Sequence, residues 1–208
     1  SPQTGHNAAD FPVDMADIER IEILEGSSAR VFGSSAFNGA INIVTKREKR
    51  TGARLSAEGG SFGTWGVNGR VSVATGAVTN SVSGGYRQSD GGTLHSDFKR
   101  RQMFYQGDLA SQHIDLQWQV GLSSQDFGAN TFYSAKFNDQ FEATRRYLTS
   151  LSGTIKPFDT DWLTLVPQLY WHRDYDHYQL IRGKEGAAAG ENYHRTDVYG
   201  GGMTANLR

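Results

Sequence analysis

Several side chains that can bind a metal lie close together near the end of the chain. His172, His177 and His194 lie in or beside one polar segment, which also holds Asp174 and Asp176. Imidazole nitrogens and carboxylate oxygens are common ligands of zinc. Solvated loop histidines are the more frequent explanation of such a pattern, so we predict no metal site here.

Asp90 and Asp97 form a second set of candidate ligands, in the segment 89–99 beside Gly91 and Gly92. Carboxylate oxygens suit hard cations such as calcium. The spacing of the two aspartates matches no calcium-binding loop. We therefore predict that the chain needs no cofactor, with calcium at Asp90 and Asp97 as the alternative.

Catalytic chemistry finds little support in the sequence. The absence of cysteine excludes disulfides, thiolate metal sites and a cysteine nucleophile. The glycine-rich stretch 26–33 lacks the Gly-Lys-Ser/Thr sequence that a phosphate-binding loop needs. No Ser–His–Asp arrangement is recoverable from the chain. We predict that the protein is not an enzyme.

The composition of the 208 residues favours a β-rich protein. Glycine is abundant (25 residues), aromatic residues reach 12%, and only four residues are proline. No apolar run of about 20 residues is present, which excludes a bundle of membrane helices. A net charge of −1 gives no basis for nucleic-acid binding. The first ten residues do not have the pattern of a signal peptide, and together with the unusual Ser-Pro-Gln beginning this predicts a fragment.

The chain divides into two parts of different pattern. In residues 1–46, the stretch 15–24 predicts a turn followed by a strand, and 40–45 predicts another strand. The charged segment that follows predicts a solvated linker at 47–51. Residues 52–208 then form the second part.

Alternation of apolar and polar residues with a period of two recurs throughout the second part. It predicts strands at 53–59, 64–74, 78–88, 100–110, 113–124, 144–156, 161–173 and 194–207. Most of these segments are longer than an ordinary soluble strand. Alternation by itself fits both a soluble β-sandwich and a membrane barrel.

The connections between the predicted strands separate these two possibilities. Short connections and long connections follow one another in turn, apart from a short first hairpin at 60–63. The long ones are 89–99, 125–143 and 174–193. All of them therefore emerge at one end of the sheet, as in outer-membrane barrels. We predict an all-β, transmembrane antiparallel β-barrel.

Three blocks in the first part carry a family resemblance. They are 17–26 (DIERIEILEG), 29–34 (ARVFGS) and 39–46 (GAINIVTK). Their residues and spacing closely resemble the end of the plug domain of TonB-dependent outer-membrane receptors. Ser27 stands where that family usually has proline, and Phe32 stands where it often has tyrosine.

The resemblance implies an architecture and a function. In that family a plug domain sits inside a barrel of 22 strands, so residues 1–46 would be the end of the plug and 52–208 the first eight or so strands. The implied function is TonB-dependent uptake of a scarce nutrient, such as a ferric siderophore or a cobalamin-like ligand, across the outer membrane of a Gram-negative bacterium. Implied partners are the TonB energising complex, outer-membrane lipid and a surface lipoprotein. Some vitamin B12 receptors of the family bind calcium in such loops.

Two other functions compete with this one. A passive porin or a structural outer-membrane barrel would have no plug, and residues 10–46 therefore count against it. The other alternative is a ligand-binding β-sandwich, which predicts that the chain dissolves in water without detergent.

Charged residues near the plug motif are the predicted plug–barrel contacts. Charges on the plug would pair with charges of the barrel lumen, and such wetted pairs are weak enough to break when the plug moves. The alternative is that they simply line a solvated strand. The predicted contact residues are Glu19, Arg20, Glu22, Glu25, Arg30, Arg54, Glu58 and Arg70.

Aromatic and polar residues in the two longest connections are the predicted ligand contacts. Aromatic side chains on a mobile loop can bind a bulky ligand. The alternative is that they pack the loops onto themselves or one another. The predicted ligand-binding residues are Phe127, Asn130, Phe132, Tyr133, Phe137, Tyr175, Tyr178 and Arg182.

Overall fold

The computed structural model describes residues 11–25, 39–159 and 162–207, which form two antiparallel sheets. A 3-10 turn at Met15–Asp17 leads into the two-stranded small sheet, β1 (Ile18–Glu25) and β2 (Gly39–Thr45). The large sheet has eight strands. They are β3 (Gly52–Gly59), β4 (Trp65–Thr75), β5 (Val78–Ser89), β6 (Phe98–Ala110), β7 (Ile114–Asn130), β8 (Gln140–Ile155), β9 (Leu163–Gln179) and β10 (Glu191–Leu207).

The large sheet is a simple meander. Each strand pairs antiparallel with the next one in the chain, which leaves β3 and β10 at the two edges. A further 3-10 turn, Ala187–Ala189, lies between β9 and β10. Within the described ranges, no helix is long and apolar enough to cross a membrane. The predicted all-β antiparallel fold is confirmed.

The connections at one end of the large sheet are shorter than the sequence predicted. β7 continues to Asn130 and β8 begins at Gln140, so the predicted loop 125–143 contains only 131–139 as a connection. The predicted loop 174–193 likewise reduces to 180–190. Backbone pairing continues because the ladder needs only N–H and C=O groups, whereas the apolar alternation stops where both faces are polar. The placement of Phe127, Asn130, Tyr175 and Tyr178 on loops was therefore wrong, since these residues lie on strands.

The two faces of the large sheet differ in chemistry. On β7, the apolar residues Ile114, Leu116, Trp118, Val120 and Leu122 lie on one face, the outer face. The opposite, inner face faces the small sheet and carries buried polar residues. These include Arg70, Ser72, Ser81, Ser83, Gln106, Asp108 and Ser123. Apolar side chains of the outer face stay exposed, which reverses the arrangement of a soluble protein.

Candidate functional site

The small sheet is held on the inner face through its two ends. The segment before β1 and the segment after β2 lie side by side, since the Lys46 amide donates to the Asp17 carbonyl oxygen at 2.8 Å. The Lys46 ammonium also donates to the Ala16 carbonyl oxygen at 2.7 Å. We call the contacts of Asp14, Asp17 and Thr45–Arg47 with the large sheet the docking seam.

A buried ion pair lies at the centre of the docking seam. The Arg70 guanidinium donates to the Asp17 carboxylate at 2.5 Å, and the Ser83 hydroxyl donates to the same carboxylate. Arg70 also donates to the Ser81 hydroxyl at 3.1 Å. Asp17 is 0% exposed and Arg70 is 8% exposed. Removing one member of such a pair leaves the other charge buried and uncompensated, which is strongly destabilising.

The 3-10 turn places Asp17 at this position. The Asp14 carboxylate accepts a hydrogen bond from the Ala16 amide at 2.8 Å and so caps the turn. The other oxygen of Asp14 accepts from the Gln102 amide of β6 at 2.7 Å. One short turn therefore makes two separate polar contacts with the large sheet.

Side-chain amides join the end of β2 to β6 and β7. The Thr45 hydroxyl donates to the side-chain oxygen of Gln106 at 2.6 Å and accepts from the side-chain amide of Gln119 at 2.9 Å. The Gln106 amide donates to the Lys46 carbonyl oxygen at 3.1 Å. Since Gln106 is completely buried, these bonds satisfy groups that have no access to water.

Arg47 extends the docking seam into the predicted linker. Its guanidinium contacts Asp108 at 2.8 Å and Asp115 at 2.5 Å. The hydrogen bond to Asp115 is the main cause that raises the pKa of Arg47. The first residue of the predicted solvated linker is therefore attached to the large sheet.

The predicted charges of β1 have other partners than expected. Arg20 pairs with Glu22 at 2.7 Å and with Glu19 at 3.0 Å, all on β1 itself. The Asn42 amide donates to Glu22 at 2.8 Å, and this bond lowers the pKa of the Glu22 carboxyl. Among the described contacts none joins these three charges to the large sheet. Their expected lumen partners are thus replaced by neighbours on the small sheet.

The remaining predicted contact residues separate into three cases. Arg70 lies in the docking seam, but its partner is Asp17, which the sequence interpretation did not select. Glu58 pairs with Arg87 at 2.6 Å, and Arg54 is exposed. Arg30 and the side chain of Glu25 lie outside the described residues.

Among the residues of the docking seam that were not predicted, Asp17 has one weak sequence feature that could have indicated it. Asp17 begins the first family block, directly before the alternating strand. A carboxylate at the entrance to a strand is a candidate for a buried contact, but its partner lies 53 positions away in the chain. Gln106 and Gln119 carried no signal beyond lying on the polar face of an alternating segment.

Three connections are joined at one end of the large sheet. Arg182 (connection 180–190) donates two hydrogen bonds to the Asp97 carboxylate, at 2.7 and 3.0 Å. His95 Nδ1 lies 2.7 Å from the Asn138 carbonyl oxygen and 3.1 Å from the Asp139 carboxylate. We call these five residues the loop latch. It holds the segments 90–97, 131–139 and 180–190 together.

The calcium candidates are not arranged as a cation site. The hydrogen bond from Arg182 lowers the pKa of the Asp97 carboxyl, which keeps it ionised and paired. A cation at Asp97 would have to displace the guanidinium. Across the described ranges, no group of three or more His, Asp and Glu residues is placed to hold a metal ion. His177 instead contacts Glu191 at 2.8 Å, and His194 lies 3.4 Å from Asp176.

Some of the predicted ligand residues form an aromatic cluster beside the latch. Tyr133 packs edge-on against Phe132 and Tyr178, with ring centroids 5.0 and 5.3 Å apart. The Tyr178 hydroxyl donates to Gln140 at 3.0 Å, while the Phe132 ring is 72% exposed. Tyr175 is separate, since it lies on the outer face against Tyr147 at 6.1 Å.

The other predicted ligand residues lie around this cluster. Phe137 is 37% exposed in the same connection as Phe132. The Arg182 guanidinium lies 4.8 Å above the Phe141 ring, which adds a cation–π contact to its pairing with Asp97. Phe127 and Asn130 belong to the last residues of β7. The exposed Phe132 ring therefore packs against rings that polar contacts hold in place.

No protein-family model matches the chain. The vitamin B12 transporter BtuB of Photobacterium profundum is 38% identical over 128 residues, covering 57% of this chain and 19% of the relative. BtuB of Vibrio vulnificus is 25% identical, covering 79% and 26%. A hemin receptor of Yersinia enterocolitica is 26% identical, covering 81% and 27%. The chain thus spans about a fifth to a quarter of the length of these relatives.

Solved structures confirm the fold. The crystal structure of the siderophore receptor PiuA from Acinetobacter baumannii superposes with a TM-score of 0.60 at 13% sequence identity, covering 79% of this chain and 27% of that protein. These relatives are transport receptors by name and not enzymes. The comparisons confirm the family resemblance predicted from the sequence, and they do not favour a passive porin.

Proposed function

We propose, from the resemblance to TonB-dependent receptors, that this chain contributes the end of the plug and the first barrel strands of a nutrient uptake receptor. Residues 1–46 would belong to the plug, 47–51 to the connection and 52–208 to the barrel. The receptor would lie in the outer membrane of a Gram-negative bacterium. Its transport would be driven by the TonB energising complex.

The observation that carries this proposal is the docking seam. The small sheet lies on the polar inner face of a sheet whose outer face exposes apolar side chains. A membrane barrel with polar content has this arrangement. A porin without a plug would not account for a segment held by Asp17, Arg70, Gln106 and Arg47.

The composition of the seam suits a plug that must stay in place and still respond to force. Exposed pairs such as Arg47 with Asp115 contribute only about 0–1 kcal/mol each. The buried Asp17–Arg70 pair costs far more to break. We infer that the exposed pairs separate first and that Asp17 is the anchor of this segment.

For the nutrient, we propose a bulky ligand such as a ferric siderophore or a cobalamin-like molecule. The aromatic cluster around Tyr133 supports this, because exposed rings pack well against large ligands. The names of the relatives, which are vitamin B12 transporters and a hemin receptor, support ligands of the same size class. Calcium at Asp90 and Asp97 would require rearrangement of the Asp97–Arg182 pair.

The test is a ligand titration of the full-length receptor in detergent. Cobalamin, hemin and a panel of ferric siderophores would be added in turn, with and without calcium. We expect saturable binding of one of these ligands. Cellular uptake of that ligand should fall to background when TonB is deleted, while binding to the purified receptor is unchanged. Uptake that is independent of TonB and never saturates would instead support a passive porin.

A matched pair of variants tests the aromatic cluster. Tyr133→Ala removes the ring that contacts both Phe132 and Tyr178. Each stacked or edge-on ring contributes about 0.5–1.5 kcal/mol, so we expect Kd to rise by about two- to thirteenfold. Leu94→Ala removes an exposed apolar side chain at the same end of the sheet and should leave Kd unchanged. Equal effects of the two variants would remove the cluster from the binding site.

A further inference from the structure

A row of arginines crosses the outer face of the large sheet at a single level. Arg101 on β6, Arg145 on β8 and Arg195 on β10 are joined through the register by Ser124 and Tyr175. Gln102 and Arg146, the next residues in sequence, lie on the inner face. We call Arg101, Arg145 and Arg195 the arginine row.

The guanidinium groups of the arginine row are available for an external partner. All three side chains are exposed. Arg101 lies 5.7 Å above the Tyr86 ring, and Arg195 lies 3.6 Å from Asp197. In the described part of the chain, Arg101 and Arg145 form no ion pair with an acidic residue.

Nearby acidic side chains do not cancel the charge of the row. Asp197 makes its short contact with Arg173 at 2.6 Å and also accepts from the Trp171 ring at 3.2 Å. Asp126 lies one level further toward the latch, where it is directly opposite Lys99 in the register. The arginine row therefore keeps a net positive charge.

The level of the row coincides with the border of the apolar band. Along β7 the outward residues are apolar from Ile114 to Leu122, and the next outward residue is Ser124, at the level of the row. Eight residues of strand correspond to about 27 Å along the strand. With the tilt usual for barrels this gives a height of about 20 Å, close to the apolar band of an outer-membrane barrel.

The spacing of the row determines what it can bind. Alternate strands are separated by about 10 Å, so neighbouring arginines can each contact a separate anionic group of one large headgroup. Arginine binds phosphate through two parallel N–H groups, which makes phosphate the matching anion. At the border of the band, the phosphates within reach are those of lipid headgroups.

We propose that the arginine row binds the phosphates of an outer-leaflet lipid that carries more than one phosphate group. The proposal rests on the membrane placement made under Proposed function. It is independent of the transported nutrient, because the row faces away from the docking seam. The bound lipid would fix the vertical position of strands β6–β10 in the membrane.

Bisphosphorylated lipid A is the probe that tests the arginine row. The full-length receptor in nanodiscs of neutral phosphatidylcholine would be titrated with this lipid and, in parallel, with dephosphorylated lipid A. We expect preferential retention of the phosphorylated form, measured by native mass spectrometry. Arg101→Gln, Arg145→Gln and Arg195→Gln combined should weaken binding by about a hundredfold, at roughly fivefold for each basic residue near a charged surface.

Three control arms make the outcome unambiguous. Lys49→Gln, Arg50→Gln and Arg54→Gln combined removes the same charge outside the row and should leave lipid binding unchanged. Inorganic phosphate should not compete with the lipid, and competition would assign the row to a free anion instead. Equal loss in both triple variants, or no loss in either, would overturn the proposal. Nutrient binding by the row variant reports separately on the proposed function, and its retention would show that the variant is folded.

Discussion

The two faces of the same large sheet differ in opposite ways from the surface and core of a soluble protein. The inner face buries Arg70, Gln106 and Asp108, and each of them has hydrogen-bond partners across the docking seam or beside it. The outer face leaves residues such as Val120 exposed, at 43%. A soluble protein would bury the apolar face and expose the polar one. The inversion is the arrangement expected if the outer face contacts lipid, as proposed above.

This difference also determines how each face tolerates change. On the inner face, a change is costly where it leaves a buried polar group without its partner. On the outer face, a change is costly where it introduces a charge into the apolar band. Position on the face, and not residue type alone, therefore predicts the effect of a substitution.

The largest effect is expected for Asp17→Ala on the inner face. The substitution leaves the buried Arg70 guanidinium without its carboxylate, and we expect the seating of the small sheet to weaken by about 3–5 kcal/mol. Hydrogen exchange of the β1 and β2 amides would measure this. Glu19→Ala, whose carboxylate pairs with the exposed Arg20, is the matched control and should change exchange little. A double variant with Arg70→Met should recover part of the loss.

On the outer face we expect Val120→Arg to cost about 2–3 kcal/mol in lipid, because Val120 lies inside the apolar band, between its centre at Trp118 and its border at Ser124. Ser152→Arg adds the same charge on the inner face of β8 and serves as the control. Tryptophan fluorescence during unfolding from lipid vesicles gives both values. Equal destabilisation by the two variants would contradict the assignment of the faces.

A smaller effect is expected where the segment before β1 packs against the large sheet. A Cβ atom at Gly121 would lie 2.6 Å from Cγ of the buried Pro12. Gly121→Ala should therefore displace the segment before β1, at a cost of about 1–3 kcal/mol. Gly202→Ala places a methyl group where none of the described residues has an atom within 4 Å, and it should be close to neutral. The same hydrogen-exchange experiment compares the two.

The smallest effect is expected at the loop latch, which is largely exposed. Arg182→Gln should break the ion pair with Asp97 at neutral pH and lower the stability of the latch by about 1 kcal/mol or less. Because Arg182 lowers the pKa of Asp97, the pair contributes fully above the ordinary pKa of Asp97, 3.8, and is lost as pH falls through the lowered value.

Spin labels at positions 93 and 184 would report the opening of the latch. In the wild-type protein the distance between the labels should stay constant from pH 7 to about pH 5 and increase only below about pH 4. Opening already near pH 6 would show that the Asp97–Arg182 pair does not control the latch.

Much of the fold was predictable because it depends on local pattern. The period-two alternation of segments such as 78–88 and 100–110 determined the strands and their apolar faces. The ends of β7 and β9 were not predictable, because paired hairpins continue after the apolar alternation has stopped. The prediction that Tyr175 lies on a loop failed for this reason.

The candidate site was less predictable than the fold. The charges of Glu19, Arg20 and Glu22 were visible in the motif, but only the structure shows that they pair on the small sheet. Asp17, a single carboxylate before a strand, was not predicted to be a contact residue. Its role depends on Arg70 and Ser83, which only the packing of two sheets brings to it.

The sequence by itself therefore determined the strand order, the chemistry of each face and the family resemblance, because alternation and motif spacing are local properties of the chain. The tertiary structure alone decided which charges meet across the docking seam, which connections the latch joins and which arginines share one level. Those contacts join residues as far apart as Asp97 and Arg182, and they depend on strand register and sheet packing. A one-residue change of register would place each of these side chains on the opposite face.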